Sequence, residues 1–563
     1  MTVVAIAVVT VAAIVDNRER SQWMKTQRAL TCQSPFSLTN SLLRSTLLDS
    51  ILIPFTTLEM VNSWLPPSSL EPAMSRYSAY QIVTLALFVT CTNVVSLYSQ
   101  SAIDIGNRRE LFVDRWLIQS LHEAELRLHA PQSAGIALKF DQPWEGQLCG
   151  YVTVLKDSDR FRMYYRGRPL TGFGDLAKEG KEVTCYAESP DGITWMKPPL
   201  MLHPINGQPT NIILADVGHA THNFAPFLDT NPMASPRERY KAVGGSQQSG
   251  LQAFVSDDGI HFQPLQKEPI ITQGAFDSQN NVFWSEHEQC YVCFLRTFKN
   301  GVRWITRTTS KDFREWTAPQ DMTFGDAPNE HLYTNQTEPY FRAPHLYLGT
   351  AARFFPQKRT LSDAEVSELQ LDGPNNYPGL KNDLSDGVLL SSRGGQFYQR
   401  TFLEALIRPG PDKRNWVARS NYPARGIVPI NDHSMSLYVQ RHYGQPSHYL
   451  ERLVARTDGF SSLHAGNISG EMQTKPFIMD GIQLEMNLAT SGIGFVAIEI
   501  QDESGKPLDG FRLEDCIPIS ADDIAYVVRW KNQSSLSKLR GKTLRLRFQL
   551  RDADIYSFLF KQL

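Results

Sequence analysis

The sequence has few cysteines, and their number is odd once the first hundred residues are set aside. Of the seven cysteines in 563 residues, five lie beyond residue 102: Cys149, Cys185, Cys290, Cys293 and Cys516. An odd number predicts no disulfide framework, although Cys149 with Cys185 remains a candidate pair. Cys290 and Cys293 are three apart in a strand-like segment, and no second pair has the spacing of a zinc site. We therefore expect buried thiols, no metal and no other cofactor.

The sequence also lacks a charge bias and several common catalytic motifs. Lys and Arg number 56 against 58 Asp and Glu, which gives a formal net charge of -2. This balance predicts neither nucleic acid nor an anionic membrane surface as a partner. The patterns G-x-x-x-x-G-K-[ST], G-x-S-x-G and H-E-x-x-H are absent, which excludes P-loop, hydrolase-elbow and zincin sites.

The first hundred residues do not resemble the rest of the chain. A segment that begins at Met74 has one early arginine, an apolar run from Ile82 to Cys91 and then small or polar residues, which is the pattern of a secretory signal peptide. A single membrane anchor is the alternative, but the run is short for a bilayer. We interpret 74–102 as a signal peptide and 1–73 as a disordered leader or a mis-called start. The mature chain is then secreted or periplasmic; otherwise the same segment anchors it to a membrane.

A tight turn with the pattern Ser-x-Asp-Gly, followed by an aromatic residue, recurs along the chain. In the clearest copy, SPDGITW, Asp191 and Gly192 suit a turn between antiparallel strands, and Trp195 leads the returning strand inward. This copy lies within 186–195, and four more divergent copies lie at 253–262, 306–316, 389–400 and 454–464. We expect the turn aspartates, Asp458 in the last copy included, to lie on the periphery and to be structural.

One or two strand-like segments precede each turn. The segment GYVTVLKDSDRFRMYYRG (150–167) alternates apolar and polar residues around KDSD, which predicts a hairpin, and NVFWSEHEQCYVCFLR (281–296) repeats the design. An inner strand, its hairpin partner and a third strand that the turn joins to a fourth make a four-stranded sheet. Five such sheets around an axis make a five-bladed β-propeller. A large sandwich with coincidental turns is the alternative.

The C-terminal part has longer alternating strands and no such turn. They occur at 494–511 and 542–560. We therefore predict an all-β protein, with a five-bladed β-propeller over 103–472 followed by a C-terminal β-sandwich over 473–563.

This architecture, with the segments ELFVDRWLI (110–118) and KDSDRFRMYYRG (156–167), resembles glycoside hydrolase family 32, the invertase and levanase group, and more distantly the arabinanase-like family 43. Within that superfamily the chain looks like a bacterial branch found in polysaccharide degraders. The resemblance implies a secreted glycoside hydrolase that acts on a poly- or oligosaccharide. The turn SPDGITW also resembles the Asp box of sialidases, with one residue fewer.

The resemblance implies carboxylates at the axial ends of the inner strands. Cleavage of a glycosidic bond needs a carboxylic acid that protonates the leaving oxygen and a second carboxylate that acts as nucleophile or base. A third commonly tunes the pKa of the acid. Acids just before predicted inner strands are Glu145 in blade one, Asp277 in blade three and Glu338 in blade four. We predict Glu145 and Asp277 as the catalytic pair and Glu338 as the third acid.

Substrate contacts are predicted from side chains near the same strand starts. Flat rings stack on sugar faces, histidine binds hydroxyls or transfers protons, and the planar fork of arginine binds a carboxylate or sulfate. The predicted substrate-binding residues are Trp144, His222, Asn223, Asn280, Tyr340, Arg342 and Tyr422. His222 and Asn223 stand where family 32 carries an acid in blade two. Arg342 has a structural alternative as an ion-pair partner.

Two other functions stay open. A non-catalytic glycan-binding propeller would keep the axial funnel without the acid pair, and the missing acid of blade two favours it. A sialidase-like hydrolase of acidic sugars would need an arginine cluster, for which Arg342, Arg353 and Arg419 are candidates, although such enzymes usually have six blades. The expected partner is in each case a carbohydrate, with no nucleic acid and no membrane after signal cleavage.

Overall fold

A computed structural model describes residues 102–169, 181–372, 379–532 and 535–562. Residues 1–101 lie outside this part, so the leader, the signal peptide and export remain predictions. In the described part, no helix is long and apolar enough to cross a membrane.

The described residues are almost entirely β-structure. The chain begins with β1 (Ile103–Gly106), β2 (Arg109–Leu111), β3 (Ile118–His122), β4 (Glu125–Leu128) and β5 (Gln132–Lys139). The first blade comprises β6 (Gly150–Asp157), β7 (Arg160–Gly167), β8 (Val183–Ser189) and, after the hairpin β9 (Leu200–Ile205) and β10 (Gln208–Thr210), β11 (Ile212–Leu214). The second comprises β12 (Ala225–Leu228), β13 (Tyr240–Ser246), β14 (Gly250–Ser256) and β15 (Gln263–Pro264). The third comprises β16 (Asn281–Ser285), β17 (Cys290–Lys299), β18 (Val302–Ser310) and β19 (Gln320–Asp321).

Two more blades and a larger sheet follow. The fourth blade comprises β20 (His331–Asn335), β21 (Glu338–Tyr340), β22 (Ala343–Phe355) and β23 (Leu384–Ser392), and the fifth β24 (Val428–Pro429), β25 (Ser434–Arg441), β26 (Tyr449–Arg456) and the early strand β5. The last strands are β27 (Ser461–Ala465), β28 (Gly470–Thr474), β29 (Phe477–Met479), β30 (Gln483–Asp502), β31 (Asp522–Val527) and β32 (Thr543–Lys561). The described helices are α1 (Asp363–Glu368) and short 3-10 helices at Gly218–His222, Pro236–Glu238, Leu380–Asn382, Lys413–Asn415 and Ser537–Leu539.

Five successive four-stranded antiparallel sheets confirm the five-bladed propeller. In the first three, each strand pairs with the one before it, so that the first strand is innermost and the last outermost. In the fourth, β20 and β21 both pair with β22 and together form one interrupted inner strand. The fifth is completed by β5, which pairs with β26 and so covers the edge of the last blade with a strand that precedes the first.

The recurring turn has the same hydrogen bonds in the first three blades. In the first copy, Oγ of Ser189 accepts from N–H of Gly192 at 2.9 Å, and Oδ1 of Asp191 accepts from N–H of Thr194 at 2.7 Å. The copies at Ser256 and Ser310 repeat both contacts within 0.2 Å. Hydrogen bonds from the backbone N–H groups of residues 194 and 193 lower the pKa of Asp191 to about 2. These turns stabilise the blades, as the sequence pattern predicts.

The fifth copy of the turn does not lie on the periphery. Asp458 has no exposed surface, takes a left-handed backbone with φ of 64° and stands where the chain leaves β26 for the larger sheet. Tyr340 donates to its carboxylate from the fourth blade and Ser557 from β32, at 2.8 and 2.6 Å. The expectation of a peripheral turn is therefore wrong for this copy, because its aspartate joins the propeller to the sheet.

The larger sheet has ten strands and takes in both ends of the described chain. Strands β1 to β4 pair within it, as do β27 and β28. The predicted propeller, 103–472, included all of these strands except the last residues of β28. The observed pairing therefore corrects the predicted boundary between the two parts. The long strands β30 and β32 pair along their length with a register shift between Thr490 and Phe495. Residues on both sides of the shift, such as Leu488 and Ile498, share one apolar core.

The described cysteines are all free thiols. Cys149 and Cys185 are both fully buried in the core between the first and fifth blades and are not bonded. Cys290 and Cys293 are buried in the third blade.

Candidate functional site

Polar side chains gather where the inner strands of the blades begin. Tyr151 at the start of β6 contacts His222, which precedes β12, with ring centroids 5.6 Å apart. The rings of Tyr333 in β20 and Tyr422 before β24 lie 5.0 Å apart. We call this group the funnel cluster; its members are Tyr151, Arg166, Glu182, His222, Asp277, Arg296, Tyr333, Arg419 and Tyr422.

A histidine links two carboxylates within the funnel cluster. Nδ1 of His222 lies 2.6 Å from Oε2 of Glu182, and Nε2 lies 3.6 Å from Oδ1 of Asp277. A protonated imidazole donates from both nitrogens, whereas the neutral ring donates from one only. The exposed fractions of the side chains are 60% for Asp277, 26% for His222 and 11% for Glu182. The arrangement can therefore exchange a proton at Nε2, on the side that faces solvent.

Nearby cations keep both carboxylates ionised. Burial raises the pKa of Glu182, but the charges of Arg166 and Arg168 and the hydrogen bond from His222 outweigh burial and bring that pKa to about 2. Burial also raises the pKa of Asp277, but its interaction with His222 and the charge of Arg296 leave it below its usual value. Both groups are therefore negative at neutral pH.

Hydrogen bonds from two buried asparagines fix the loop that carries Asp277. Phe276 is fully buried and takes a left-handed backbone with φ of 56°. The side-chain amides of Asn223 and Asn280 both donate to the carbonyls of Phe276 and Ser278, at 2.6 to 3.2 Å. Both asparagines are fully buried. The prediction that they contact substrate is wrong in this structure, because their amides are used to position the loop.

Bulky residues with a left-handed backbone stand beside three of the inner strands. They are Tyr151, Phe276 and Arg419, with φ of 51°, 56° and 62°, in the first, third and fifth blades. Most other non-glycine residues with positive φ are polar ones in turns, such as Ser158 and Asn300. Such a conformation costs about 1–3 kcal/mol and persists only where the surroundings enforce it. Strain of this kind concentrates at functional sites, which supports this end of the axis as the candidate site.

Arginines lie against tyrosine rings at the base of the cluster. Cζ of Arg166 is 4.6 Å from the ring centroid of Tyr151, and Cζ of Arg296 and Arg419 are 4.3 and 5.1 Å from that of Tyr333. A cation over a ring face is attracted by the ring quadrupole. These contacts hold three positive charges at the funnel.

The funnel has a closed floor. Nε2 of Gln279 donates to Thr153 at 2.6 Å, and Nε2 of Gln336 donates to Gln279 at 2.8 Å, which links the first, third and fourth blades across the axis. Farther along, the buried Arg425 donates to the carbonyl of Val282 at 2.7 Å. These hydrogen bonds lie between the funnel cluster and the far ends of the inner strands.

Glu145 lies inside the wall of the first blade. Its side chain has no exposed surface and accepts hydrogen bonds from Tyr165 at 2.6 Å and Lys197 at 2.8 Å. Burial raises the pKa of Glu145 more than Lys197 and Tyr165 lower it. Nε1 of the half-buried Trp144 donates to Asn211 at 2.6 Å. A carboxylate with no exposed surface touches no sugar, so in this structure Glu145 is not placed to act on a substrate together with Asp277.

Glu338 lies at the opposite end of the propeller axis. It accepts a hydrogen bond from N–H of Ile427 at 3.0 Å, and Nε of Arg425 lies 3.4 Å away. Burial raises the pKa of Glu338 more than Arg425 lowers it. It lines a cavity of about 280 Å³ with Trp284 and other residues from the far ends of the inner strands. The length of those strands separates Glu338 from Asp277, so it is not a third acid of the same site.

Tyr340 and Arg342 face the ten-stranded sheet. Both donate to the carboxylate of Asp458 at 2.8 Å. Their predicted role in substrate binding is therefore replaced by a structural one. Arg353 is bound to Asp386 at 2.7 Å and also to Glu330. Of the three arginines considered for an acidic sugar, only Arg419 belongs to the funnel cluster.

Three of the ten predicted site residues lie in the funnel cluster, namely His222, Asp277 and Tyr422. Arg166, Glu182 and Arg296 do not lie at the starts of inner strands, so the sequence pattern did not predict them. The signal was in the hairpin register, since the end of β7 lies beside the start of β6, and Gly150 pairs with Arg166. The same rule places the segment before β8, which contains Glu182, at this end.

Among the described residues, no group of three or more His, Cys, Asp or Glu is arranged to hold a metal ion.

No protein-family model matches the sequence, and no curated protein matches it. Among solved structures, the chain is similar to a protein described as a glycoside hydrolase, at 11% identity over 58% of this chain and 92% of that one, with a TM-score of 0.40. It is also similar to a fructofuranosidase from Schwanniomyces occidentalis complexed with fructosylnystose, at 8% identity over 75% and 96% of the chains, with a TM-score of 0.34. A third is an exo-β-1,3-galactanase from Phanerochaete chrysosporium with β-1,3-galactotriose, at 10% identity over 77% and 99%, with a TM-score of 0.32. At these values the propeller assignment rests on the strand pairing of this chain, and the activity must be argued from its own site.

Proposed function

We propose that the chain is a glycoside hydrolase whose active site is the funnel cluster, with Asp277 as the reacting carboxylate. The observation that carries the proposal is the chain of contacts from Glu182 through His222 to Asp277 at the open end of the propeller. It places an ionised, exposed carboxylate beside a histidine that is fixed in one orientation. Hydrolysis of a glycosidic bond needs a carboxylate at the sugar and a proton donor at the leaving oxygen.

The two groups have different roles in this proposal. Asp277 is exposed and negative at neutral pH, so it acts as the nucleophile or as the base that activates water. His222, when protonated at Nε2, gives that proton to the leaving oxygen. Glu182 accepts from Nδ1, which orients the ring and stabilises its positive charge. If Asp277 is the nucleophile, water then breaks the glycosyl–Asp277 bond and gives its proton to His222. If Asp277 is the base, it takes the proton of the attacking water and passes it to His222, so that both groups return to their starting states.

The test is hydrolysis of a glycan panel by the full chain, with fructans, arabinans and sulfated and uronic polysaccharides included. In Asp277→Asn and in His222→Gln, kcat/KM should fall at least about a thousandfold on any glycan that the unchanged chain cleaves. The control is Asp258→Asn, a carboxylate in the turn of the second blade. A rate that falls equally in all three variants would contradict the assignment.

Glycan binding without catalysis is the second candidate function, and one observation favours it. Glu182, the other carboxylate of the funnel cluster, is only 11% exposed and already engages His222 and Arg168. The cluster thus presents one carboxylate to a substrate instead of two. Retained binding of a glycan with no sugar released by the unchanged chain would favour this function.

A further inference from the structure

Positive side chains outnumber negative ones in the funnel cluster. The cluster contains three arginines, Arg166, Arg296 and Arg419, and two carboxylates, Glu182 and Asp277. The side chains of Arg166 and Arg296 are only 6% and 1% exposed, and each lies 3.9 Å from its carboxylate. Burial of a guanidinium group is unfavourable unless an anion and hydrogen bonds compensate it. The two carboxylates of the cluster balance only two of the three arginines, so an excess of positive charge is left.

Several buried donors of the cluster have no hydrogen-bond partner among the described residues. They are Nε of Arg166, Nη1 of Arg296 and Oη of Tyr422. Other nitrogens of the same guanidinium groups are anchored, because Nη2 of Arg166 donates to the Leu148 carbonyl at 2.8 Å and Nη2 of Arg296 donates to the Tyr333 carbonyl. The groups are therefore fixed in place with donors left over. A buried charged donor without an acceptor is strongly unfavourable.

Two of these side chains, Arg166 and Tyr422, border a small cavity at the base of the funnel. Tyr151, Arg166, Arg419 and Tyr422 line it, together with Gly150, Gln440 and Tyr443, and its volume is about 10 Å³. A space of this size holds one water-sized group. An oxygen of a carboxylate or a sulfate has that size and accepts hydrogen bonds.

We propose that the funnel cluster binds the acidic group of a sugar, a carboxylate or a sulfate ester, and that Arg166, Arg296 and Arg419 select acidic glycans. This inference rests on the proposed function, because it names the substrate class of the same site. An oxyanion in the funnel compensates the excess charge and supplies acceptors for the donors left over. A hydroxyl of a neutral sugar supplies an acceptor but no charge. The planar fork of arginine matches an oxyanion better than a lysine does.

The test is binding of three monosaccharides to the full chain, measured by titration calorimetry. Galacturonate and galactose 6-sulfate are compared with galactose. At least one acidic sugar should bind about tenfold or more tightly than galactose, because charge-assisted hydrogen bonds are the stronger ones. The two acidic probes show which oxyanion the site takes. Equal or tighter binding of galactose would overturn the inference.

Variants show whether the preference comes from the funnel. Arg296→Met and Arg166→Met should abolish the preference for the acidic sugar, and Arg296→Lys should keep only part of it. The control is Lys156→Met, which removes an exposed positive charge at the other end of the axis. Thermal unfolding confirms that each variant is folded. A preference that survives in the folded arginine variants would contradict the inference.

The outcome separates this inference from the proposed function. If the chain cleaves neutral glycans and binds no acidic sugar, the hydrolase proposal stands and the inference fails. If the chain binds acidic sugars through these arginines and cleaves none of the panel, the inference stands and the hydrolase proposal fails.

Discussion

At the scale of single residues, solvent exposure and the nearest cation decide what each carboxylate can do. Asp277 is 60% exposed with its positive neighbours at 3.6 Å or more, so it is free to act on a ligand. Glu145 has no exposed surface and is held by Lys197 at 2.8 Å. Glu182 is an intermediate case. Its side chain is largely buried, but His222 links it to the exposed carboxylate of Asp277.

The lowered pKa of Glu182 makes a prediction about stability and pH. The pKa falls from its usual 4.5 to about 2 in the folded protein, so the folded state binds this proton less readily than the unfolded state. The stabilisation is complete above about pH 4.5 and is lost as the pH falls toward 2. Glu182→Gln should lower the unfolding free energy by about 2–3 kcal/mol at neutral pH. The measurement is the thermal midpoint of both proteins at about pH 6 and about pH 3. If the difference in thermal midpoint between the two proteins is as large at about pH 3 as at about pH 6, the explanation based on the pKa of Glu182 is wrong.

The residue pattern alone could not separate Glu145 from Asp277. Both precede an inner strand, which is the pattern that the sequence shows. What separates them is Lys197, 52 residues farther along, which folds back onto Glu145. Contacts of this range are set by the packing of the blade and leave no local signal.

At the scale of elements, the turns and hairpins follow local rules and were predictable. The hairpin predicted around KDSD is formed by β6 and β7, and the turn at Asp191 has the expected geometry. At the fourth position of the turn, Gly192 and Gly259 have φ of 69° and 75°. Phe313 takes that place in the third blade with φ of 66°. Its side chain is buried between blades, so packing offsets the backbone strain there.

Gly259 provides a test of the blade turn. A Cβ at this position would lie 2.8 Å from Oη of Tyr164 and 3.0 Å from the ring of Tyr240, in addition to the unfavourable φ. Gly259→Ala should therefore lower the unfolding free energy by about 2–4 kcal/mol. Gly207→Ala is the matched control, because Gly207 also has a positive φ but no atom within 4 Å of its added Cβ. If chemical denaturation gives the same loss of unfolding free energy for Gly259→Ala and Gly207→Ala, the contacts with Tyr164 and Tyr240 do not contribute.

At the scale of the whole molecule, long-range pairing closes the fold. β5 completes the fifth blade, and β1 to β4 join the ten-stranded sheet with strands more than 300 residues away in the chain. The five blades could be predicted from the repeat. The boundary of the ten-stranded sheet could not be predicted, because the sequences of short strands such as β2 and β4 do not indicate which strands they pair with.

Asp458 joins the two parts of the molecule and gives the prediction for this scale. It is fully buried and accepts from Arg342 in the fourth blade and Ser557 in the sheet. Asp458→Asn should lower the unfolding free energy by about 3–5 kcal/mol, because it removes the negative charge that faces the half-buried Arg342 and the buried Arg109. Tyr340→Phe removes the hydrogen bond to the same carboxylate and the one that the hydroxyl accepts from N–H of Asp458, and should cost only about 1–2 kcal/mol. Similar losses from both variants in thermal unfolding would contradict the charge-based explanation.

The central claim is that the site lies at the end of the axis where the inner strands begin. The most direct measurement compares the rates of Asp277→Asn and Glu338→Gln on one glycan that the unchanged chain cleaves, because each variant neutralises one carboxylate at one end. We expect the rate of hydrolysis to fall at least about a thousandfold in Asp277→Asn and less than about threefold in Glu338→Gln. The reverse result would place the chemistry at the opposite end, in the cavity beside Arg425.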